Sequence, residues 1–148
     1  MTKEDKELLI KDLGSRLTYN VKVRYFSTKQ FFNCNLQSLN PTYYIADLWS
    51  KEACFSSVHI TNIKPYLFPL SSMTEEQRME LNSLLPVGVY LQINSNDFTY
   101  FEINTDLVCC FHIEFWDKFF DWLNKNHFDY RGLIEKGLSL DATGLNIY

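Results

Sequence analysis

The sequence predicts an α+β protein: an antiparallel β meander or a small SH3-like barrel plus a second hairpin, packed with N-terminal, middle and C-terminal helices. Three observations predict this fold class. Residues 113–125 have the periodicity of an amphipathic helix, residues 21–63 contain several runs with the periodicity of strands, and residues 87–103 contain two more. The barrel alternative depends on the number of strands alone.

The strongest helical signal lies in Ile113–Lys125. At about 100° per residue, the large apolar side chains fall on one half of the helix and the polar ones on the other. A strand would instead place Phe119 and Phe120 on opposite faces. Burial of these side chains contributes on the order of 10–20 kcal/mol, about what ordering the backbone costs. The helix therefore needs a partner surface, and we expect the upstream strands to supply it.

Two further helices begin at capping residues. Thr2 precedes a helix expected over residues 3–13, which we expect to end near Gly14 because glycine weakens a helix interior. Thr74 has a glutamine three residues later, which is the pattern of a capping box. It predicts a helix over residues 75–85, stopped by the proline that follows.

Four strands are predicted in the first half of the chain. Residues 20–25 and 32–38 alternate apolar and polar side chains across a short polar link, which indicates a β-hairpin. Pro41 ends the second strand, since proline cannot donate to a β-ladder. Residues 43–49 and 54–63 form the third and fourth strands.

The middle of the chain predicts a strap, a second hairpin and a last strand. Residues 64–69 form a mainly apolar segment that begins with Lys64-Pro65 and ends with Phe68-Pro69. Because of the two prolines, we expect the segment to cross the core as a strap rather than to form a central strand. Residues 87–93 and 98–103 alternate across a polar turn. Residues 107–111 are apolar on both faces, which is typical of a central strand.

The C-terminal part of the chain predicts a short helix and a returning segment. Asp129 precedes a helix expected over residues 130–136, and residues 138–148 are apolar enough to fold back onto the core. The chain lacks repeats and linker-like stretches. It therefore predicts a single compact domain over residues 1–148, with two lobes, 1–69 and 70–148, as the alternative.

Composition limits the classes of function. The 148 residues are 46% hydrophobic and carry a formal net charge of −4, without a run of basic residues. A nucleic-acid-binding surface normally requires a basic balance, so nucleic acid is disfavoured as a partner. The polar N-terminus is followed by no long apolar stretch, and we therefore expect a cytoplasmic protein that does not bind a membrane.

A metal site or an active site was sought among the cysteines and histidines. Cys109, Cys110 and His112 are close in sequence, but a strand would point the two thiols to opposite faces. The other candidates show no paired ligand spacing: Cys34, Cys54, His59 and His127. The chain also lacks a Gly-x-Ser-x-Gly elbow and a glycine-rich phosphate loop. We expect no metal, no cofactor and buried free thiols.

Aromatic residues are the one compositional feature that points to a binding surface. They make up 16% of the chain, and most of them are explained as strand formers in the core. Tyr43, Tyr44, Trp49 and Phe55 surround a short polar turn, where their rings cannot all point inward. Tyrosine and tryptophan are favoured anchors at protein interfaces, so these four residues form the predicted binding surface.

Parts of the chain resemble a family of short proteins from gut-bacterial phages and mobile elements. Residues 121–148 resemble the ending of these proteins, and residues 1–13 and 64–77 are similar to the same group. Residues 27–62 and 87–112 diverge from the group pattern. The group has no assigned activity, so the resemblance implies a genomic context and no site residues.

Three hypotheses of function follow. The first is a non-catalytic protein-binding or adaptor module of a phage or mobile element. It is motivated by aromatic residues that we expect to be exposed and by the lack of catalytic motifs in the sequence. The second is an enzyme whose active site is assembled from residues far apart in sequence. The third and weakest is nucleic-acid binding through Lys22, Arg24 and Lys29.

Overall fold

The computed structural model describes most of the chain: residues 1–85, 89–93, 98–102 and 113–148. Side chains are described for 1–85 and 116–148. The helices and strands of this described part, in chain order, are α1 (Lys3–Arg16), β1 (Lys22–Phe26), β2 (Phe31–Asn40), β3 (Ile45–Trp49), β4 (Cys54–His59), β5 (Ile63–Leu67), α2 (Glu75–Ser83), β6 (Val89–Ile93), β7 (Phe98–Glu102), α3 (Ile113–Lys125) and β8 (Leu140–Asp141).

The chain divides into two compact units. Residues 1–67 and 133–148 form the first unit, and residues 68–132 form the second. The C-terminal segment thus belongs with the N-terminal half of the chain. A single domain over residues 1–148 stays a prediction.

A six-stranded mixed sheet forms the first unit, in the order β4-β3-β2-β1-β5-β8. All neighbours in it are antiparallel except β5 and β8, which are parallel. The α+β prediction is therefore confirmed. The barrel alternative is wrong, because β8 from the C-terminal segment pairs with β5 at the edge that β4 would need in order to close the sheet.

The first predicted hairpin is confirmed. Strands β1 and β2 pair antiparallel from Lys22 opposite Asn35 to Phe26 opposite Phe31. The hydroxyl of Ser27 stabilises the connecting turn, since it donates to the carbonyl of Gln30 over 2.7 Å. The alternation of apolar and polar residues thus located both strands.

The expectation that residues 64–69 could not include an inner strand is wrong. Pro65 lies in β5, between β1 and β8, opposite Val23. The amide of Leu36 donates to the carbonyl of Val21. The backbone N–H and C=O groups of Val21 and, two residues later, of Val23 therefore point towards β2 and away from β5. The pair of Val23 and Pro65 therefore requires no hydrogen bond from the proline, which explains how an inner strand accepts it.

Helix α1 covers one face of the sheet. Thr2 and Asp5 form a reciprocal capping box at its start, with hydrogen bonds of 2.9 and 3.1 Å. The expected end near Gly14 is wrong, because the helix continues to Arg16. Leu9 and Leu13 of the helix belong to one hydrophobic cluster with side chains from the strands and the segments next to them. These side chains are Val21, Val23, Cys34, Leu36, Ala46, Leu48, Val58, Ile60 and Ile63.

The second unit has its own hydrophobic core. The helix predicted over Ile113–Lys125 is confirmed as α3, and Phe119 and Leu123 on it are fully buried. Thr74 caps α2 through a capping box, as predicted, and Leu81 of α2 joins the same core. The described apolar neighbours of α3 thus include a helix, and not only the strands that we expected.

The second hairpin is confirmed by the antiparallel pairing of β6 with β7. Its connecting residues 94–97 lie outside the described residues. The strand predicted over residues 107–111 also lies outside them, as do Cys109, Cys110 and His112.

The C-terminal part matches the sequence prediction only at its end. Residues 130–136 form turns and no helix, and Gly132 within them has a positive φ angle of 68°, which a helix interior does not accommodate. Residues 138–148 do fold back, because Leu138 and Ala142 are buried and β8 pairs with β5.

Candidate functional site

The face of the sheet opposite α1 carries polar and aromatic side chains. Successive residues of a strand point to opposite faces, and Val21 and Val23 face the core. Lys22 therefore points to the other face. Register places Asn35 opposite Lys22, and Trp49 opposite Asn35, so the three residues form one row across β1, β2 and β3.

A groove of about 390 Å³ lies on this face, and we call it the outer groove. All of its lining residues belong to the first unit: Lys22, Phe31, Phe32, Asn33, Cys34, Asn35, Trp49, Ser50, Lys51, Glu52 and Ile147. Its volume lies in the range that holds a small molecule or a few side chains of a peptide.

Two aromatic side chains of the outer groove are solvent-exposed. Phe31 has 56% of its surface exposed, and Trp49 has 44% exposed. Neither position is explained by the core, since the inward-facing neighbours Phe32 and Leu48 pack there instead. Exposed aromatic rings beside a concave surface are typical of an interface.

Arg24 lies beside the groove in a fixed position. Its Nε donates to the hydroxyl of Tyr66 over 2.7 Å, and that hydroxyl donates to Oδ1 of Asn33, also over 2.7 Å. The guanidinium carbon lies 4.5 Å from the ring centroid of Phe31. These contacts leave both Nη groups without an acceptor among the described residues, so they remain able to bind an anion.

The charges around the outer groove are mostly positive. Lys22 and Lys51 line it, Arg24 adjoins it, and none of the three has a carboxylate within ion-pair distance in the described part of the chain. Glu52 is the one carboxylate among the lining residues. The groove is therefore locally cationic in a protein whose net charge is −4.

The thiol in the groove lining is not activated for catalysis. Burial, together with the negative charge of Glu52, raises the pKa of Cys34 to about 11. A nucleophilic cysteine needs a lowered pKa, because the thiolate is the reactive form. No histidine is among the lining residues either. The described lining therefore holds no activated thiolate and no pair of a thiol with a histidine.

The structure does not bring the four predicted site residues together. Tyr43 and Tyr44 lie in the turn before β3, whereas Trp49 ends that strand, roughly 16 Å from Tyr44 by the rise of an extended chain. Tyr43 is 69% exposed. Phe55 packs inward, with its ring centroid 4.9 Å from that of Tyr25.

Tyr44 has a structural environment that the sequence did not indicate. Its φ angle is 54°, its side chain packs against the core of the first unit, and the ammonium group of Lys6 lies 5.8 Å from its ring centroid. Of the four predicted residues, only Trp49 lines the outer groove. Whether any of the four contacts a partner stays a prediction.

Sequence reasoning missed Phe31 and Asn33 as parts of a site, and it named Arg24 only in the nucleic-acid hypothesis. The signal was present in the alternation of β1 and β2, because Phe31, Asn33 and Asn35 share one face with Lys22 and Arg24. Tyr66 could not have been found in this way, since it comes from the proline-containing segment that we expected to cross the core.

The described residues contain no group of three or more histidine, cysteine, aspartate or glutamate side chains placed to hold a metal ion. In that same part of the chain, none of the helices has the length and apolarity that spanning a bilayer requires. Comparison with protein-family models, with curated proteins and with solved structures gives no match for this chain.

Proposed function

We propose that the protein is a non-catalytic protein-binding or adaptor module and that its partner binds in the outer groove. The observation that carries this proposal is the exposure of Phe31 and Trp49 beside cations that have no described counter-charge. Aromatic anchors with adjacent hydrogen-bonding groups are what protein interfaces use most.

Three features of the groove support binding rather than chemistry. Burial of its aromatic rings by a partner is favourable, because it removes apolar surface from water. Its amide and ammonium groups can orient the partner through hydrogen bonds, and its thiol is protonated at neutral pH. The sheet also holds these side chains on regular strands, so little order is lost when a partner binds.

The biological setting belongs to the same proposal. The sequence resemblance of residues 121–148 to short proteins of phages and mobile elements supports a role in such an element, where an adaptor would act in the cytoplasm of a bacterial host.

Photo-crosslinking in living cells tests the proposal. p-Benzoylphenylalanine replaces Phe31 in one variant and Tyr43 in a second, and both substitutions keep an aromatic side chain at an exposed position. Cells that carry the native gene neighbourhood are irradiated. We expect a discrete crosslinked band from position 31, identified by mass spectrometry, and none from position 43.

A third variant combines the crosslinker at position 31 with Trp49→Ala, and the band should then weaken strongly because one anchor is gone. A crosslink from position 43 alone would favour the surface predicted from the sequence. A band from position 31 that Trp49→Ala leaves unchanged, or no band at all, would contradict binding in the outer groove.

A further inference from the structure

We infer that the outer groove binds an extended acidic peptide, a segment of the partner in which aspartate or glutamate alternates with large apolar residues. This inference rests on the proposed function and adds the chemistry of the partner. It is carried by the charge and hydrogen-bonding groups of the groove, which are arranged as a receptor for carboxylates.

Arg24 is the central carboxylate receptor. The hydrogen bond from its Nε to Tyr66 and the stacking on Phe31 hold the guanidinium in one orientation before any ligand arrives. Its Nη groups have no acceptor among the described residues. A planar guanidinium can bind a carboxylate through two parallel hydrogen bonds, and little side-chain entropy is lost here because the group is already ordered.

Lys22 and Lys51 provide further positive charge in the lining of the same groove. A peptide with two or three carboxylates would balance these cations, whereas a neutral peptide would leave them unpaired. Glu52 should repel a carboxylate of the ligand, which limits how many the groove accepts. The ligand charge is therefore expected to be negative but small.

Asn33 and Asn35 suit the backbone of an extended peptide. Asn33 accepts a hydrogen bond from Tyr66 through Oδ1, which orients the side chain and leaves its amide nitrogen able to donate. Asn35 lies between Lys22 and Trp49 in the cross-strand row. Amide groups beside aromatic rings can bond a peptide backbone while the rings take its alternate side chains.

The size of the groove favours a short segment. A volume of about 390 Å³ is at the lower end of the range for ligand-binding clefts, and it suits a few residues of a linear motif. A nucleic acid strand would need a longer cationic track, and Glu52 lies in the groove itself. An acidic peptide thus fits both the volume and the charge.

Selection from a display library of random peptides tests this inference. The full-length protein is immobilised, and the probe is a library of octapeptides, with enriched sequences read by deep sequencing. We expect enrichment of peptides that combine aspartate or glutamate with phenylalanine, leucine or tryptophan. The best enriched peptide is then synthesised with a fluorophore, and its affinity is measured by anisotropy.

Charge variants test whether positive charge in and beside the groove favours binding of the peptide. Arg24→Gln should weaken binding of that peptide about 10-fold or more, because it removes a charge-assisted bidentate contact. Lys51→Gln, at an exposed turn position, should weaken it about two- to five-fold, the size of a peripheral charge. Glu52→Gln tests the opposite sign in the adjacent position and should tighten binding, because it removes a carboxylate that repels the ligand.

Melting curves by circular dichroism verify the fold of each variant, and Lys51→Gln keeps the test valid if Arg24→Gln does not fold. Enriched peptides that are neutral or basic, and that bind the Trp49→Ala variant more weakly, would overturn the acidic inference and leave the proposed function standing. The absence of any peptide that depends on Trp49 would count against both. Tighter binding of an oligothymidine probe than of any peptide would also overturn the inference.

Discussion

At the scale of single residues, Tyr148 shows how one side chain can complete a β-ladder. Its hydroxyl accepts a hydrogen bond from the amide of Lys22 over 3.2 Å and donates one to the carbonyl of Tyr66 over 2.7 Å. The ladder between β1 and β5 begins at the pair of Val23 and Pro65 and does not include Lys22. The hydroxyl thus replaces the next backbone hydrogen bond, and burial raises the pKa of Tyr148.

Tyr148→Phe should therefore destabilise the first unit. The variant removes both hydrogen bonds and leaves a backbone donor and a backbone acceptor without their partner, so the free energy of unfolding should fall by about 1–3 kcal/mol. Urea denaturation followed by circular dichroism measures this change. Tyr43→Phe is the matched control, because that side chain is exposed, and it should change stability by less than about 0.5 kcal/mol. Equal stability of both variants would show that the bridge contributes nothing.

Residue-scale reasoning also explains why the four predicted site residues lie in different environments. An excess of aromatic residues near one turn was visible in the sequence, but exposure depends on which face of a strand each residue occupies. Trp49 and Phe55 lie on facing strands, yet Phe55 points into the core while Trp49 remains exposed. The register between β3 and β4 shifts between Ala46 and Leu48, which simple alternation could not predict.

At the scale of secondary-structure elements, α1 continues past its glycine because of a buried ion pair. Asp12 and Arg16, one helical turn apart, have fully buried side chains. Two hydrogen bonds of 2.9 and 3.0 Å join the guanidinium to the carboxylate. A buried charge must keep its partner, so the pair holds the last turn in helical geometry on both sides of Gly14.

Asp12→Ala should reduce the free energy of unfolding by about 3–5 kcal/mol, since it removes the carboxylate that makes two hydrogen bonds to the fully buried guanidinium of Arg16. The same helix offers a matched control in the exposed pair of Lys3 and Glu7, which has the same spacing. Glu7→Ala should cost no more than about 0.5 kcal/mol. Thermal melts of both variants at equal ionic strength measure the difference. Similar losses for the two variants would contradict a role for burial.

Element boundaries were predicted best where the signal is local. The N-cap at Thr2, the capping box at Thr74 and the hairpin of β1 and β2 depend on residues three to thirteen positions apart, and all were predicted from the sequence. The helix expected over residues 130–136 failed because Gly132 adopts a positive φ angle, which its sequence neighbours do not specify.

At the scale of the whole molecule, the buried apolar residues of the described part of the chain form separate clusters in the two compact units. The first core is formed by α1 and the six-stranded sheet, and the second includes side chains of α2, α3 and the segment before α2. Each core belongs to one compact unit. The amphipathic pattern of α3 was identified correctly from the sequence.

Hydrogen exchange with mass spectrometry tests whether the two cores unfold separately. Phe119→Ala should remove about 3–5 kcal/mol of stability and lower protection mainly within residues 68–132. Leu13→Ala should lower protection mainly in the six-stranded sheet, by about 2–5 kcal/mol. If either variant reduces protection equally in both units, the chain unfolds as the single cooperative domain that the sequence predicts.

The sequence by itself determined the α+β class, the helix starts, the alternation of the strands and the hairpins, because each depends on side chains near one another along the chain. Only the tertiary structure decided the pairing of β5 with β8, the insertion of the Tyr148 hydroxyl and the grouping of Phe31, Trp49 and Arg24 around one groove. The hydrogen bonds of Tyr148 join residues 126 and 82 positions apart. Such contacts follow from the packing of the entire chain, which no local pattern records.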